Sequence, residues 1–263
     1  MIRTSIRGLA FVFIILRFIL RASFVYFTEK DRWLRTSKLA ALVQQTSQQA
    51  LIHLNIELEV SGSSIGQGYL QVGNHMSYLD VFIMASIHPT CFVTSVEMRD
   101  TPILGHLCRI GGCLFVERRN KNNIHKEISE ITEALSNDLN VTIFPEATST
   151  NGDAVIRFRR PLYTAAVQAK RSVQPFCIQY LSIDGEPVTR LNRDELCWYD
   201  DMAFAGHFIN ILSKRKIKIK VSYLNTISYD ATKEAKDFVD LSYQMVSSHY
   251  KGFTHQDKLA PAT

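Results

Sequence analysis

Tyr69-Leu70-Gln71-Val72-Gly73-Asn74-His75-Met76-Ser77-Tyr78-Leu79-Asp80 changes from one backbone pattern to another within a short span. The run Tyr69 to Val72 reads as a buried strand, and Ser77 is placed to N-cap a helix over Tyr78 to Ile87. Strand, loop and helix in that order form the repeating unit of an α/β fold. The spacing predicts His75 in the loop and Asp80 on the first helical turn, facing back towards it. That is the layout of a general base with its orienting carboxylate. Imidazole removes a hydroxyl proton near neutral pH, and a carboxylate on the other ring nitrogen sets the tautomer and steadies the imidazolium. The same spacing also fits a helix-capping loop with an incidental histidine.

The pattern continues on both sides. Ile56-Glu57-Leu58-Glu59-Val60 alternates as a strand with one wet face, and further strands are predicted at 69–73, 91–96, 113–117, 140–144, 173–180 and 217–224. Helices fall between them at 78–87, 102–110, 122–137, 161–171 and 201–213, with a last one from Asp230 to about His249. In the 122–137 segment Ile124, Ile128, Ile131 and Leu135 recur at helical spacing. The expected fold is α/β, a mixed, largely parallel sheet covered by helices. With 263 residues and 46% hydrophobic content, the chain can bury one substantial core. No linker, repeat or low-complexity run divides it. The expected organisation is an N-terminal pair of amphipathic membrane-binding helices over 1–54, one domain over 55–250 and a frayed tail over 251–263.

Charge is concentrated at the N-terminus. Residues 1–38 carry eight basic groups against Glu29 and Asp31, a net of +6, while the whole chain is +5. Their neighbours are aliphatic and Phe-rich, which argues against a nucleic-acid face. On a helix over residues 3–27, Arg3, Arg7, Arg17 and Arg21 fall within about 80° of one another and the rest of the surface is apolar. A spanning helix over Gly8 to Phe27 would bring Arg17 near the bilayer midplane at about 2.5–3.5 kcal/mol. A helix lying in the interface keeps the guanidinium groups among lipid headgroups, and this is the favoured reading over a tilted span or docking into the chain's own core. A signal peptide fits less well, because Arg17 follows the apolar run and no A-x-A site appears. A second amphipathic helix is expected from Asp31 to about Leu54.

Cys91, Cys108, Cys113, Cys177 and Cys197 are odd in number and lie mostly in apolar surroundings. Buried free thiols in a reducing compartment are expected. Cys108 and Cys113 lack a second ligand pair at zinc-like spacing, so no metal site is expected.

Three downstream segments change the weight of the His75 and Asp80 pair. They are Gly112-Cys113-Leu114-Phe115-Val116-Glu117-Arg118, Phe144-Pro145-Glu146-Ala147-Thr148-Ser149 and Val173-Gln174-Pro175-Phe176. In this order and spacing, together with the first stretch, they resemble the four motifs of the glycerolipid acyltransferase family, which includes the 1-acylglycerol-3-phosphate (lysophosphatidate) acyltransferases. Glu97-Met98-Arg99-Asp100-Thr101-Pro102-Ile103-Leu104-Gly105 resembles the family's connection between its first two motifs. The resemblance covers about residues 50–225.

The resemblance implies an acyltransferase catalytic domain over 55–250. Its expected reaction is O-acyl transfer from acyl-CoA or acyl carrier protein, as co-substrate and without a cofactor, to a lysolipid hydroxyl. Phosphatidate formation from 1-acyl-sn-glycerol 3-phosphate is expected first, and acylation of a lyso-ornithine lipid is the alternative. It further implies a membrane location with the domain on the cytoplasmic face, catalysis by His75 and Asp80 without an acyl-enzyme, and acceptor binding by Gly112, Phe115, Arg118 and Glu146. Glu146 could orient Arg118 or accept from an acceptor hydroxyl. Two neighbours depart from the family: glycine is usual at Ala147 and arginine at Ser149, which weakens the case for a phosphate-bearing acceptor. Arg157, Arg159 and Arg160 could supply that charge, bind donor or lipid phosphates, or form a solvated basic turn. Oxyanion stabilisation would come from backbone amides near His75 or from the Thr148 hydroxyl. Trp198-Tyr199-Asp200-Asp201-Met202, with His207 beyond, is similar to a segment of the lyso-ornithine-lipid branch.

Two competitors remain. Gly62-Ser63-Ser64-Ile65-Gly66 fits the G-x-S-x-G elbow of serine hydrolases, but a second strand follows it where that motif needs a helix. A non-enzymatic lipid-binding protein on the same fold is the other, and the intact His75 and Asp80 pair argues against it.

Overall fold

A computed structural model describes residues 2–62, 66–102, 104–116 and 124–253 of the chain, without the side chains of residues 2, 3 and 124. Arg118, Ser64, the Arg3 side chain and most of the 251–263 tail lie outside what is described.

In chain order the elements are α1 (Ile2–Thr28), α2 (Arg32–His53), β1 (Ile56–Ser61), β2 (Leu70–Gly73), α3 (Leu79–Ile87), β3 (Cys91–Ser95), α4 (Val96–Arg99), α5 (Leu104–Ile110), β4 (Leu114–Val116), α6 (Ile124–Ser136), β5 (Val141–Ile143), α7 (Tyr163–Gln168), β6 (Val173–Ile183), β7 (Glu186–Pro187), α8 (Phe204–Ser213), β8 (Ile217–Tyr223) and α9 (Ala235–His249). The strands form one sheet in the order β1-β8-β6-β2-β5-β3-β4, with β7 paired to β6. Pairing is parallel throughout except where β6 meets β8 and β7. The mixed, largely parallel sheet covered by helices is therefore what the chain forms.

Every residue of β2 is buried, as expected of a central strand of a parallel sheet covered on both faces. It lies between β5 and β6, with Leu70 opposite Val141 on one side and Val173 on the other. The loops after β2 and β5 therefore emerge side by side at the carboxyl ends of parallel strands, where open α/β sheets hold their sites. The last residue of β2, Gly73, has to be glycine because a Cβ there would run into the Phe176 ring.

Helix α2 starts as expected, with Asp31 as N-cap accepting from the Leu34 N–H at 2.7 Å. It is bound to the body of the molecule: Leu51 and Leu54 join the main core, and Gln44 and Gln48 donate to the Ile87 and Ser86 carbonyls at the end of α3. Helix α1 packs on α2 and α5 through Phe18, Ala22, Leu39, Leu42 and Ile110. Its opposite face, Ile6, Leu9, Val12, Phe13, Leu16, Leu20, Phe24 and Phe27, is 54–81% exposed. The segment Thr4–Thr28 is long and apolar enough to cross a membrane by length and composition, which suggests membrane association.

The arginine stripe does not face outward as a unit. Arg7 is 8% exposed and donates to the Leu212 and Lys214 carbonyls at 3.1 and 2.5 Å. This satisfies carbonyls at the end of α8 and corrects the expectation that Arg7 meets headgroups. Arg17 and Arg21 are exposed, and they line the groove between α1 and α2 beside Gln45, to which Arg21 donates at 3.1 Å.

Candidate active site

The loop from Asn74 to Tyr78 is held from several directions. The Asn74 side chain donates to the Ile178 carbonyl at 2.9 Å and accepts its N–H at 2.8 Å, continuing the link to β6 after β2 has ended. The Thr150 N–H donates to the His75 carbonyl at 2.9 Å, and the Trp198 N–H to the Met76 carbonyl at 2.8 Å. Trp198, singled out for its family resemblance, is thus tied to the histidine loop. Its neighbour His207 pairs through Nδ1 with the Tyr78 hydroxyl at 2.9 Å, and burial pushes its imidazole below the usual range.

His75 and Asp80 meet as the spacing predicts, with Nδ1 and Oδ2 2.9 Å apart. The same Oδ2 accepts the Met76 and Ser77 N–H groups at 2.7 and 3.0 Å, and Oδ1 accepts the Tyr180 hydroxyl at 2.7 Å. Four donors hold a fully buried carboxylate. An Nδ1–H directed at Asp80 assigns the imidazole lone pair to Nε2. The ring stacks on Phe144 at 4.1 Å between centroids, so it is packed on one face and part-exposed.

The helix begins at Leu79, one residue later than predicted, with Tyr78 at the cap position, and Ser77 Oγ accepts the Leu79 N–H at 3.4 Å. The Asp80 carboxylate takes the Met76 and Ser77 amides of the preceding loop. The amides of His75, Met76 and Ser77 are therefore all committed, the first to Glu146 and the others to Asp80. This removes them as the oxyanion donors expected near His75. The Thr148 side chain is exposed, with Oγ1 3.3 Å from the Ser149 carbonyl.

Glu146 is 1% exposed. It accepts the His75 N–H through Oε2 and the Ile156 N–H through Oε1, both at 3.1 Å. Glu146 thereby ties the His75 loop to the segment after β5. Burial pushes its carboxyl up to about 8 against those two amides, with the Asp80 charge adding to the rise. Because the folded value lies above the unfolded one, the folded chain holds an extra proton from about pH 4.5 to about 8. This group's stabilisation is complete below that window and lost as pH rises through it. Glu146→Gln should flatten the fall, measured by urea unfolding at about pH 5 and about pH 8.5. It should also cost about 1–3 kcal/mol, because the amide nitrogen must face one backbone N–H. An unchanged pH slope would count against this role.

Ala147 sits at φ +61°, in the left-handed region. That is the physical reason for glycine at the family position, and alanine occupies it at a cost on the order of 1 kcal/mol. Beside the His75 and Phe144 stack, Val93, Val116, Phe144, Pro145 and Leu162 line a mainly apolar cleft that also carries Glu127 and Arg159. Arg157, Arg159 and Arg160 are exposed, and only Arg159 among them lines this cleft. Phe115 is half-buried on β4, opposite Thr94. Gly112 faces Leu39 and Thr36 of α2 at φ +76° and closes α5.

Residues 55–179 match the family model described as Acyltransferase. The chain is 27% identical over 180 residues to the lyso-ornithine lipid O-acyltransferase of Rhizobium meliloti (strain 1021), covering 66% of this chain and 62% of that protein. It is 29% identical over 177 residues to the 1-acyl-sn-glycerol-3-phosphate acyltransferase of Neisseria gonorrhoeae, covering 66% of this chain and 67% of the relative. Its fold matches the crystal structure of the 1-acyl-sn-glycerophosphate (LPA) acyltransferase PlsC from Thermotoga maritima with a TM-score of 0.67 at 18% identity, over 100% of this chain and 99% of that one.

Asn74, Phe144, Thr150 and Tyr180 are the site residues that sequence reading missed. Asn74 and Phe144 lie inside the quoted motifs, beside the residues singled out. Tyr180 carries no local signal.

Proposed function

We propose that this chain is a membrane-bound O-acyltransferase moving a fatty acyl group from acyl-CoA or acyl carrier protein to the hydroxyl of 1-acyl-sn-glycerol 3-phosphate. The observation that carries the reading is the 2.9 Å contact between His75 Nδ1 and the buried Asp80 carboxylate. His75 Nε2 takes the hydroxyl proton as the oxygen attacks the thioester carbonyl, and the protonated ring then supplies a proton to the departing thiolate. Asp80 steadies the imidazolium between those steps. The apolar cleft beside Phe144 suits hydrocarbon, and Arg159 beside it suits an anionic group.

Ser149 favours a second reading. Arginine holds a phosphate with paired charge-assisted bonds and serine offers one neutral donor, so a lyso-ornithine lipid, without a phosphomonoester, fits that position. Thiol release from acyl-CoA by purified protein, with lysophosphatidate, lyso-ornithine lipid and lysophosphatidylethanolamine as acceptors, separates them. Lysophosphatidate should be acylated fastest, and Arg159→Gln should raise its KM about tenfold. An inert lysophosphatidate with an active lyso-ornithine lipid would reverse the order of acceptors. Absence of acceptor-dependent release with either donor would end the acyltransferase reading.

Helix α1 lies in the membrane interface with Leu9, Phe13, Leu16 and Leu20 among acyl chains and Arg17 and Arg21 at headgroup level, on the cytoplasmic face where the donors occur. Replacing Leu9, Phe13 and Leu20 with Asp should lower vesicle binding at least about tenfold in flotation. Arg17→Glu with Arg21→Glu should weaken binding to anionic vesicles more than to neutral ones. Labelling that placed the two ends of α1 on opposite sides of the bilayer would replace the interfacial helix with a spanning one.

A further inference from the structure

The corner between α5 and β4 carries two thiols that acyl transfer leaves unused. Helix α5 ends in a Schellman motif. The Cys113 N–H donates to the Cys108 carbonyl at 3.0 Å, and the Gly112 N–H to the Arg109 carbonyl at 3.2 Å. Gly112 occupies the left-handed conformation that this motif requires. Such a motif brings together the side chains of the two residues that share its outer hydrogen bond, and an apolar pair commonly fills those positions. Here both are cysteines, so the motif sets their side chains next to each other. Both residues are half-buried, whereas Cys91, Cys177 and Cys197 are buried.

The pair is chemically asymmetric. The adjacent Cys113 thiol holds the Cys108 thiol below its ordinary range. The Cys108 thiol beside it, with burial, pushes Cys113 well above that range. Cys108 is therefore the nucleophile and Cys113 its resolving partner.

We propose that Cys108 and Cys113 form a reversible dithiol/disulfide site, oxidised by hydrogen peroxide or by a small-molecule disulfide. With peroxide, the Cys108 sulfur attacks one oxygen, an S–O bond forms, the O–O bond breaks and water leaves, giving a sulfenic acid. The Cys113 sulfur then attacks Cys108 Sγ. The S–S bond forms, the S–O bond breaks, and the hydroxyl departs as a second water with the Cys113 proton. Two thiols are oxidised and one peroxide is reduced to two waters. With glutathione disulfide, Cys108 forms a mixed disulfide and releases one glutathione thiol, and attack by Cys113 releases the second. The backbone hydrogen bonds of the Schellman motif already hold the two residues side by side, so closure does not require α5 to unwind.

Trypsin cleaves after Arg99, Arg109 and Arg118, which places Cys108 and Cys113 in separate peptides, 100–109 and 110–118. The test treats full-length protein with hydrogen peroxide or glutathione disulfide, blocks remaining thiols with N-ethylmaleimide and analyses the digest by non-reducing mass spectrometry. The two peptides should appear joined in most chains, separate on addition of dithiothreitol, and fail to join in Cys108→Ser or Cys113→Ser. Recovery of both cysteines singly alkylated after either oxidant would overturn the proposal and leave the pair as the motif's packing contact. A stable glutathione adduct on Cys108, or a bond from Cys108 to Cys91, would also overturn it.

Discussion

Replacing His75 with alanine should lower acyl transfer by about 10²–10⁴-fold while leaving the fold and vesicle binding intact. The reason is geometric: Nδ1 is held by Asp80 at 2.9 Å, and the ring is fixed from one face by Phe144. The packed ring is part-exposed and its loop is anchored by backbone and Asn74 contacts that the substitution keeps, so unfolding should not be the cause of the loss. Initial rates of thiol release and a thermal melt, run on the same preparation, separate the two effects. More than about a tenth of the wild-type rate in His75→Ala would remove the general base from the mechanism.

Asp80→Asn should be nearly as damaging to turnover, about 10²–10⁴-fold, with a smaller effect on stability. The asparagine oxygen can accept the Met76 and Ser77 amides, and its NH₂ can turn to the Tyr180 hydroxyl oxygen, so the buried polar groups keep partners. What disappears is the negative charge beside the imidazolium. Asp80→Ala differs, because it leaves two buried backbone N–H groups and the Tyr180 hydroxyl without partners and should lower stability by several kcal/mol. Tyr180→Phe probes positioning alone. It removes one hydrogen bond to Oδ1, should cost about 1–3 kcal/mol of stability, and should slow turnover far less than Asp80→Asn. If Tyr180→Phe and Asp80→Asn slowed turnover equally, the charge of Asp80 would not be its contribution.

Sequence reading located the elements well because their signals are local. Period-two alternation at Ile56 to Val60, helical spacing from Ile128 to Leu135, and the run ending at Gly73 are each decided within a few residues of backbone geometry. The His75 and Asp80 pair was legible for the same reason, since five positions across a loop and a first helical turn leave little freedom. The start of the helix was read one residue early, at Tyr78 instead of Leu79.

Other parts of the site depend on chain segments far apart. The Tyr180 hydroxyl reaches Asp80 across 100 positions, Glu146 takes the His75 amide across 71, and Arg7 closes the end of α8 across more than 200. Spacing cannot report such contacts, because strand order and packing set them: β6 must lie beside β2 before Tyr180 can approach Asp80. The sequence by itself determined the α/β architecture, the pairing of His75 with Asp80 and an apolar N-terminal helix bordered by arginines. Only the tertiary structure decided that Glu146 is a buried tie, that Arg7 is a helix-end partner and that the loop amides are already engaged. Burial converts an available polar group into one that must find its partner inside the protein.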